Sequence, residues 1–202
     1  AVNKIRGESG SSVELKVLRK GEDPKKLKII RENITIPSVE SSMKENNIGY
    51  IKISRFDEST ADLAKKASEN LKSKGAKKII LDLRGNPGGL ITSAVDVSSL
   101  WLEKGTLVVQ EKRGETVIES HNANGTNSLL GFLTVILIDE GSASASEIVA
   151  GALKDHNKAT LIGEDSYGKG SVQQLTPVSS GGLLKITIAR WYTPNGRNID
   201  KE

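Results

Sequence analysis

The distribution of apolar and polar residues divides this 202-residue chain into two parts. Residues 13–18 and 27–31 alternate apolar and polar side chains, which is the period of half-buried strands, and a charged turn joins them. With a helix end at residues 1–6, this first part is too small to bury a core of its own. We therefore interpret residues 1–33 as an incomplete unit and residues 34–47 as a connector.

From residue 48 onward, the pattern predicts strands that alternate with helices. The predicted strands cover residues 48–56, 78–83, 106–112, 116–120, 133–138, 159–162, 170–178 and 183–192. The predicted helices cover residues 60–74, 90–102 and 144–154. Alternation of this kind, with hairpins among the strands, is typical of an α/β fold with a mixed sheet and helices.

The composition narrows the chemistry that the chain can perform. It has no cysteine and only two histidines, His121 and His156, so thiolate chemistry is excluded and a multi-histidine metal centre is disfavoured. The net charge is +4, but lysines alternate with acids and few aromatic residues accompany them, which favours a solvated face over a nucleic-acid-binding surface. The longest strongly apolar stretch, residues 132–138, is too short to span a bilayer. Because the chain has no cysteine and only two histidines, any reaction is expected to use oxygen, amine or amide groups.

The first candidate turn lies at residues 84–89 (RGNPGG), between a predicted strand and a predicted helix. Its last two residues, Gly88 and Gly89, allow a sharp turn and leave backbone N–H groups unobstructed. At the N-terminus of a helix such groups stabilise an anion or a developing oxyanion. A purely structural tight turn, in which the glycines supply positive φ, explains the same pattern. If residues 84–89 are considered alone, this structural explanation is favoured over oxyanion binding.

The second candidate turn, residues 141–147 (GSASASE), places three serines between a buried strand and a helix. A serine exposed there, above a helix N-terminus, would follow the logic of a nucleophile elbow. Ser144 and Glu147 also have the spacing of a capping box, so a purely structural role for Ser144 stays open. The spacing does not choose among Ser142, Ser144 and Ser146.

The third candidate turn, residues 163–170 (GEDSYGKG), comes close to the phosphate-binding pattern G-x-x-x-x-G-K-[ST]. Gly170 stands where that loop needs a hydroxyl, and a strand-like segment follows where it needs a helix. Nucleotide binding is therefore disfavoured. An ordinary surface role for Lys169 is favoured if this turn is considered without the others.

Considered together, the three turns suggest a serine with a lysine base. His156 lies beyond the far end of the predicted helix, about 18 Å along its axis, and His121 lies in a polar loop of unassigned position. A lysine is a base only when uncharged, which at pH 7 requires its pKa to fall by ~3 units from about 10.4. On one extended strand, Lys169 and Gln173 would share a face, and the amide of Gln173 would orient the amine without adding negative charge.

Three segments resemble, in order, the signature segments of the carboxyl-terminal processing, or tail-specific, serine peptidases. They are residues 80–89 (ILDLRGNPGG), 141–148 (GSASASEI) and 163–173 (GEDSYGKGSVQ). The resemblance covers nearly the whole chain and implies a core similar to the crotonase and caseinolytic-protease folds. It also implies that residues 1–33 are the C-terminal part of a PDZ domain and that residues 48–202 are the catalytic core, with its C-terminal part truncated.

The resemblance implies a role for each candidate residue. The nucleophile is Ser144, the general base is Lys169, and the residue that orients the lysine is Gln173. The oxyanion hole consists of backbone N–H groups of Ala145 and of the Gly88-Gly89 turn, with the donating glycine left open. The implied reaction is cleavage of protein substrates near their C-termini by a serine endopeptidase, without a cofactor or a metal.

The resemblance also implies partners and a location. The expected partners are proteins or peptides with exposed C-termini, no nucleic acid is expected, and a homo-oligomer is left open. The expected location is extracytoplasmic, in the bacterial cell envelope or a plastid lumen. Two other functions stay open: a non-catalytic PDZ-type peptide-binding module, and a crotonase-like acyl-CoA enzyme with acidic groups in place of the serine and lysine.

Overall fold

The computed structural model describes residues 2–33, 36–178 and 181–200. The chain divides into two compact units, Ala1–Ile36 and Pro37–Glu202.

The first unit is a hairpin with a short helix. It contains α1 (Val2–Ile5), β1 (Ser12–Val17) and β2 (Lys25–Ile30), and the two strands pair in antiparallel fashion. The Arg31 guanidinium donates to Ile5 O at 2.7 Å and thereby ties the helix to the end of the hairpin. None of the described side chains in residues 2–33 is fully buried. This agrees with the prediction that the segment is too small to form a core of its own.

The second unit contains two sheets and three helices. Its strands are β3 (Val39–Lys44), β4 (Ile48–Ile53), β5 (Lys78–Asp82), β6 (Leu107–Arg113), β7 (Thr116–Asn122), β8 (Leu133–Ile138), β9 (Ala159–Gly163), β10 (Ser171–Pro177) and β11 (Leu183–Tyr192). One sheet has the order β3-β4-β5-β8-β9, in which the β3–β4 pair is antiparallel and the other pairs are parallel. The other sheet is antiparallel, with the order β10-β11-β6-β7. The mixed α/β architecture predicted from the sequence is confirmed.

The three helices of this unit are α2 (Thr60–Ser73), α3 (Ile91–Ser98) and α4 (Ala145–Asp155). Their apolar faces and the two sheets share one core. Its fully buried members include Ile51, Leu71, Leu81, Val97, Trp101, Val109, Ile136 and Leu153. Among the described residues, no helix has both the length and the apolarity that a bilayer span needs.

Two elements differ from the sequence prediction. The predicted connector over residues 34–47 contains a strand, β3, which pairs with β4 through a turn where Asn46 and Asn47 have φ of 58° and 56°. Its polar-rich sequence hides the strand, because only Val39 and Met43 are half-buried. Helix α3 is shorter than the predicted residues 90–102, since the chain tightens to three-residue hydrogen bonds just after it, from Leu100 N to Val97 O and from Trp101 N to Ser98 O.

Candidate active site

The backbone turns sharply at Ser144, at the N-terminus of α4. This residue has φ 53° and ψ −113°, outside the common regions for a residue with a side chain, and such a conformation costs about 1–3 kcal/mol. The neighbouring serines are fully buried, and their hydroxyls donate to backbone carbonyls, Ser142 to Leu83 O at 2.8 Å and Ser146 to Asn86 O at 3.0 Å. Ser144 is half-buried. It is therefore the best candidate nucleophile of the three serines that the spacing could not separate.

The glycine turn after β5 packs directly against this elbow. A Cβ on Gly88 would lie 2.7 Å from Ala143 O and 2.8 Å from Ser144 Cβ, and a Cβ on Gly89 would collide with Phe56 O. Both glycines also have positive φ, of 97° and 145°. Because a side chain is excluded at both positions, the backbone of this turn can approach the serine closely.

The two glycines differ in what their N–H groups bind. The Gly88 N–H donates to Asn86 Oδ1 at 2.9 Å, and the Asn86 amide is itself fixed by donation to Ile53 O at 2.9 Å. Within the described parts of the chain, neither the Gly89 N–H nor the Ala145 N–H donates a hydrogen bond. These two backbone groups are free to bind an oxyanion.

A buried carboxylate, that of Glu147, joins the elbow to the loop that carries Lys169. Its Oε2 accepts hydrogen bonds from Ser144 N at 2.7 Å and from Lys169 N at 3.0 Å. Its Oε1 accepts from Gly168 N at 2.6 Å and from the Ser166 hydroxyl at 2.7 Å. The sequence indicated only a capping role for Glu147. The contacts with residues 166–169 show that it also fixes the lysine loop.

The side chains of Ser144 and Lys169 are not hydrogen-bonded to each other in the region described. The Lys169 side chain is exposed. The sequence argument applies if Lys169 and Gln173 lie on one strand; Lys169 instead precedes β10, and both residues line one cavity.

One cavity of about 540 Å³ brings the three candidate turns together. This volume is within the range of small-ligand and substrate sites. Its lining residues are Pro87 from the first turn, Gly141 and Ala143 from the second, Tyr167, Gly168 and Lys169 from the third, and Ser171, Gln173, Lys185 and Asp200. Of the candidate site residues, Lys169 and Gln173 line this cavity, whereas Ser144, Ala145, Gly88 and Gly89 are not among its lining residues.

Sequence reasoning missed two charged residues of the cavity, Lys185 and Asp200. Lys185 reaches it through the pairing of β11 with β10. Asp200 Oδ1 accepts from Gly170 N at 2.6 Å, and its Oδ2 accepts from Arg190 at 2.7 Å. Both contacts cross large sequence separations, so no local motif could have revealed them.

An ion pair at the end of β5 anchors the first turn. Asp82 is 2% exposed and accepts hydrogen bonds from Arg84 at 2.7 Å and from the Tyr50 hydroxyl at 2.7 Å. Burial would raise the pKa of Asp82, but the hydrogen bonds from Arg84 and Tyr50 outweigh that effect and lower it to about 2. Burial and the bond to Asp82 raise the pKa of Tyr50.

Neither histidine lines the cavity. His156 caps the C-terminal end of α4, with its Nε2 2.7 Å from Leu107 O. His121 lies on β7. These placements agree with the sequence argument against a histidine base.

Comparison with known proteins gives consistent matches. The model of "Peptidase family S41" matches residues 47–202. The carboxy-terminal processing protease CtpA of Bacillus subtilis is 41% identical over all 202 residues, which cover 43% of that protein. A probable CtpA-like serine protease of Staphylococcus haemolyticus is 39% identical over 98% of the chain and 40% of its own length. The chain thus spans less than half the length of these relatives.

A solved structure agrees with these relatives. The photosystem II D1 C-terminal processing protease superimposes with a TM-score of 0.76 at 29% identity. The match covers 96% of this chain and 54% of that protein.

Proposed function

The chain belongs to peptidase family S41, and from this premise we propose that it carries the active site of a serine endopeptidase that cleaves protein substrates near their C-termini. Peptidases of this family act on proteins, and the names of the relatives refer to carboxy-terminal processing. The observation that carries the proposal is the cavity in which Pro87, Ala143 and Lys169, one residue from each of the three turns, come together.

In the proposed reaction, Ser144 Oγ attacks the scissile carbonyl carbon and gives its proton to the neutral amine of Lys169. The carbonyl π electrons move onto oxygen to form a tetrahedral oxyanion. Collapse of this intermediate breaks the C–N bond, and the Lys169 ammonium returns the proton to the leaving amine. Water then hydrolyses the acyl-enzyme, with the same lysine as base, and regenerates the Ser144 hydroxyl. These steps need no metal or cofactor.

The proposed oxyanion hole consists of the N–H groups of Gly89 and Ala145. Gly89 is preferred to Gly88 because the Gly88 N–H is already bound to Asn86 Oδ1. Ala145 supplies a free N–H at the N-terminus of α4, where the helix dipole also favours negative charge. A single donor of this kind typically contributes ~3–4 kcal/mol to transition-state stabilisation.

Catalysis by this mechanism requires the Lys169 side chain to turn from solvent towards Ser144. The lysine backbone is already fixed, because Glu147 Oε2 binds the N–H groups of both residues. Rotation of the side chain about a fixed backbone is then sufficient. Gln173 lines the same cavity and is the proposed partner that orients the amine.

The other expectations from the family resemblance stay predictions. The assignment of residues 1–33 to a PDZ domain, the likeness of the core to the crotonase fold and the location in the cell envelope all stay predictions. So do the binding of exposed C-termini and a homo-oligomeric state.

The acyl-CoA alternative is disfavoured by the carboxylates at the site. Glu147 accepts four hydrogen bonds from protein groups, and both oxygens of Asp200 are engaged by Gly170 and Arg190. Among the described residues, Asp200 is the one carboxylate that lines the cavity. Binding of coenzyme A in a calorimeter would favour this alternative over proteolysis.

A serine-reactive fluorophosphonate tests the proposed nucleophile. We expect the probe to inhibit cleavage of an unfolded protein by the intact protein, and mass spectrometry to locate the adduct on Ser144. Inhibition with the adduct on Ser142 or Ser146 would refute the assignment. A non-catalytic binding module would show no cleavage to inhibit.

A further inference from the structure

The β6–β7 hairpin brings one imidazole and two carboxylates to the same face of the antiparallel sheet. In the register of the two strands, Val109 pairs with His121 and Glu111 pairs with Glu119. Since side chains alternate along a strand and paired residues share a face, the three polar groups lie together. One ligand atom from each of Glu111, Glu119 and His121 lies within 4.8 Å of the others.

Glu111 is a buried carboxylate without a partner. Its exposure is only 9%, and no hydrogen bond or ion pair joins it to any residue that the structure describes. Removing a carboxylate from water is costly unless a charge or a set of donors compensates for it. The carboxylate is therefore available to a partner from outside the chain.

The basic residues of the neighbouring strand positions do not supply that partner. Lys112 Nζ lies over the ring of Tyr192 at 4.9 Å, Arg113 Nε donates to Ile188 O at 3.0 Å, and Arg190 pairs with Asp200 at 2.7 Å. A divalent cation would supply the positive charge that these basic side chains do not bring to the two glutamates.

His121 also lacks hydrogen-bond partners. Its Nε2 is buried and unbonded in the described structure, and its Nδ1 is 3.8 Å from Glu119 Oε1, which is beyond hydrogen-bond distance. The ring lies beside Trp191, with 5.9 Å between the ring centroids. A half-buried imidazole with an unbonded nitrogen is a preferred ligand of borderline metal ions.

We propose that Glu111, Glu119 and His121 bind one Zn²⁺ ion. Zinc accepts imidazole nitrogen and carboxylate oxygen at about 2.0–2.2 Å, and three protein ligands leave its fourth position to water. Mg²⁺ and Ca²⁺ fit less well, because both prefer six or more oxygen ligands. Glu119 is 60% exposed and gives the ion access from solvent.

The proposed ion is structural. The site shares no residue with the cavity that Lys169 lines, and the proteolytic steps do not use a metal. Zinc would cross-link the edge strand β7 to β6 beside Trp191. The backbone N–H of Trp191 donates to Gly170 O at 2.7 Å. Metal binding should therefore raise the melting temperature of the protein and should take no part in the proteolytic steps.

Calorimetric titration of the tag-free, chelator-treated protein with ZnCl₂ tests the proposal. We expect one bound ion, with affinity reduced at least about 10-fold in His121→Asn and in Glu119→Gln. Glu119 is exposed, so its substitution should leave folding intact. Glu115→Gln, at an exposed position on the same hairpin, is the matched control and should bind zinc normally.

A thermal unfolding series gives the second measurement. Zinc should raise the melting temperature of the unsubstituted protein and of Glu115→Gln, and should leave that of Glu119→Gln unchanged. MgCl₂ at the same concentration should have no effect. The proposal would be overturned if the unsubstituted protein failed to bind zinc, or if Glu119→Gln and His121→Asn bound zinc as tightly as the unsubstituted protein.

Discussion

Glu147 Oε2 lies 3.0 Å from the backbone nitrogen of Lys169 and accepts its N–H. The same oxygen accepts the N–H of Ser144 at 2.7 Å. One carboxylate thus fixes the relative positions of the proposed nucleophile and the proposed base through their backbones, while the Lys169 side chain stays exposed to solvent. We regard Glu147 as a positioning residue, because it acts through these two residues.

Replacing Glu147 by glutamine should weaken catalysis and stability together. The amide has one acceptor oxygen, and its NH₂ group would face N–H donors that the carboxylate now binds. Each buried donor left unbonded costs about 1–3 kcal/mol. We therefore expect Glu147→Gln to lower kcat at least about 10-fold and to lower the melting temperature, measured by steady-state cleavage and thermal unfolding.

Glu164→Gln is the matched control for this substitution. Glu164 is an exposed glutamate in the same loop, so its replacement should leave both kcat and the melting temperature unchanged. Normal kcat in Glu147→Gln would show that this carboxylate does not position the serine and the lysine.

The glycine turn should tolerate a methyl group at one position and reject it at another. Gly85 has φ 67° but open space around its Cβ direction, so Gly85→Ala should cost about 1–2 kcal/mol from backbone strain alone. Gly88→Ala adds a clash with Ala143 O and Ser144 Cβ, and it should cost more stability and abolish cleavage. Urea unfolding and a cleavage assay on both variants check this order. Equal effects of the two substitutions would contradict the close packing of the turn on the elbow.

The Asp82 ion pair should make stability depend on pH in acid. The pKa of Asp82 is about 2 in the folded protein and 3.8 when unperturbed, so its contribution is full above about pH 4 and is lost as pH falls through 2. This difference corresponds to about 2 kcal/mol. Urea unfolding should therefore show Asp82→Asn less stable than the unsubstituted protein at pH 7, with a smaller difference near pH 2. A difference that stays constant between these pH values would rule out the ion pair as its source.

The sequence was most informative where function depends on local geometry. Glycine pairs and serines before an apolar helix are signals within a few residues, and they predicted the turn at Gly88 and an elbow within residues 141–147. Only the family resemblance singled out Ser144. The α/β order followed from periodicity, since strands such as Ile48–Ile53 bury alternate residues.

Contacts that depend on strand register and loop packing could not be predicted from local sequence patterns. The bonds from Glu147 to the lysine loop, the position of Lys185 in the cavity and the pairing of Glu111 with Glu119 depend on strand register and loop packing. In the β10–β11 pair, a bulge at Ile188 shifts the register by one residue opposite the step from Val172 to Gln173, which no local pattern indicated. Strand β3 escaped prediction because its polar-rich sequence has few apolar positions.

Cleavage of an unfolded protein substrate by Ser144→Ala and Lys169→Ala tests the central claim most directly. We expect both substitutions in the intact protein to abolish cleavage, because one removes the attacking oxygen and the other the base that accepts its proton. Ser73→Ala and Lys66→Ala, at exposed positions on α2, should cleave normally. Full activity of either Ser144→Ala or Lys169→Ala would contradict the proposed serine–lysine mechanism.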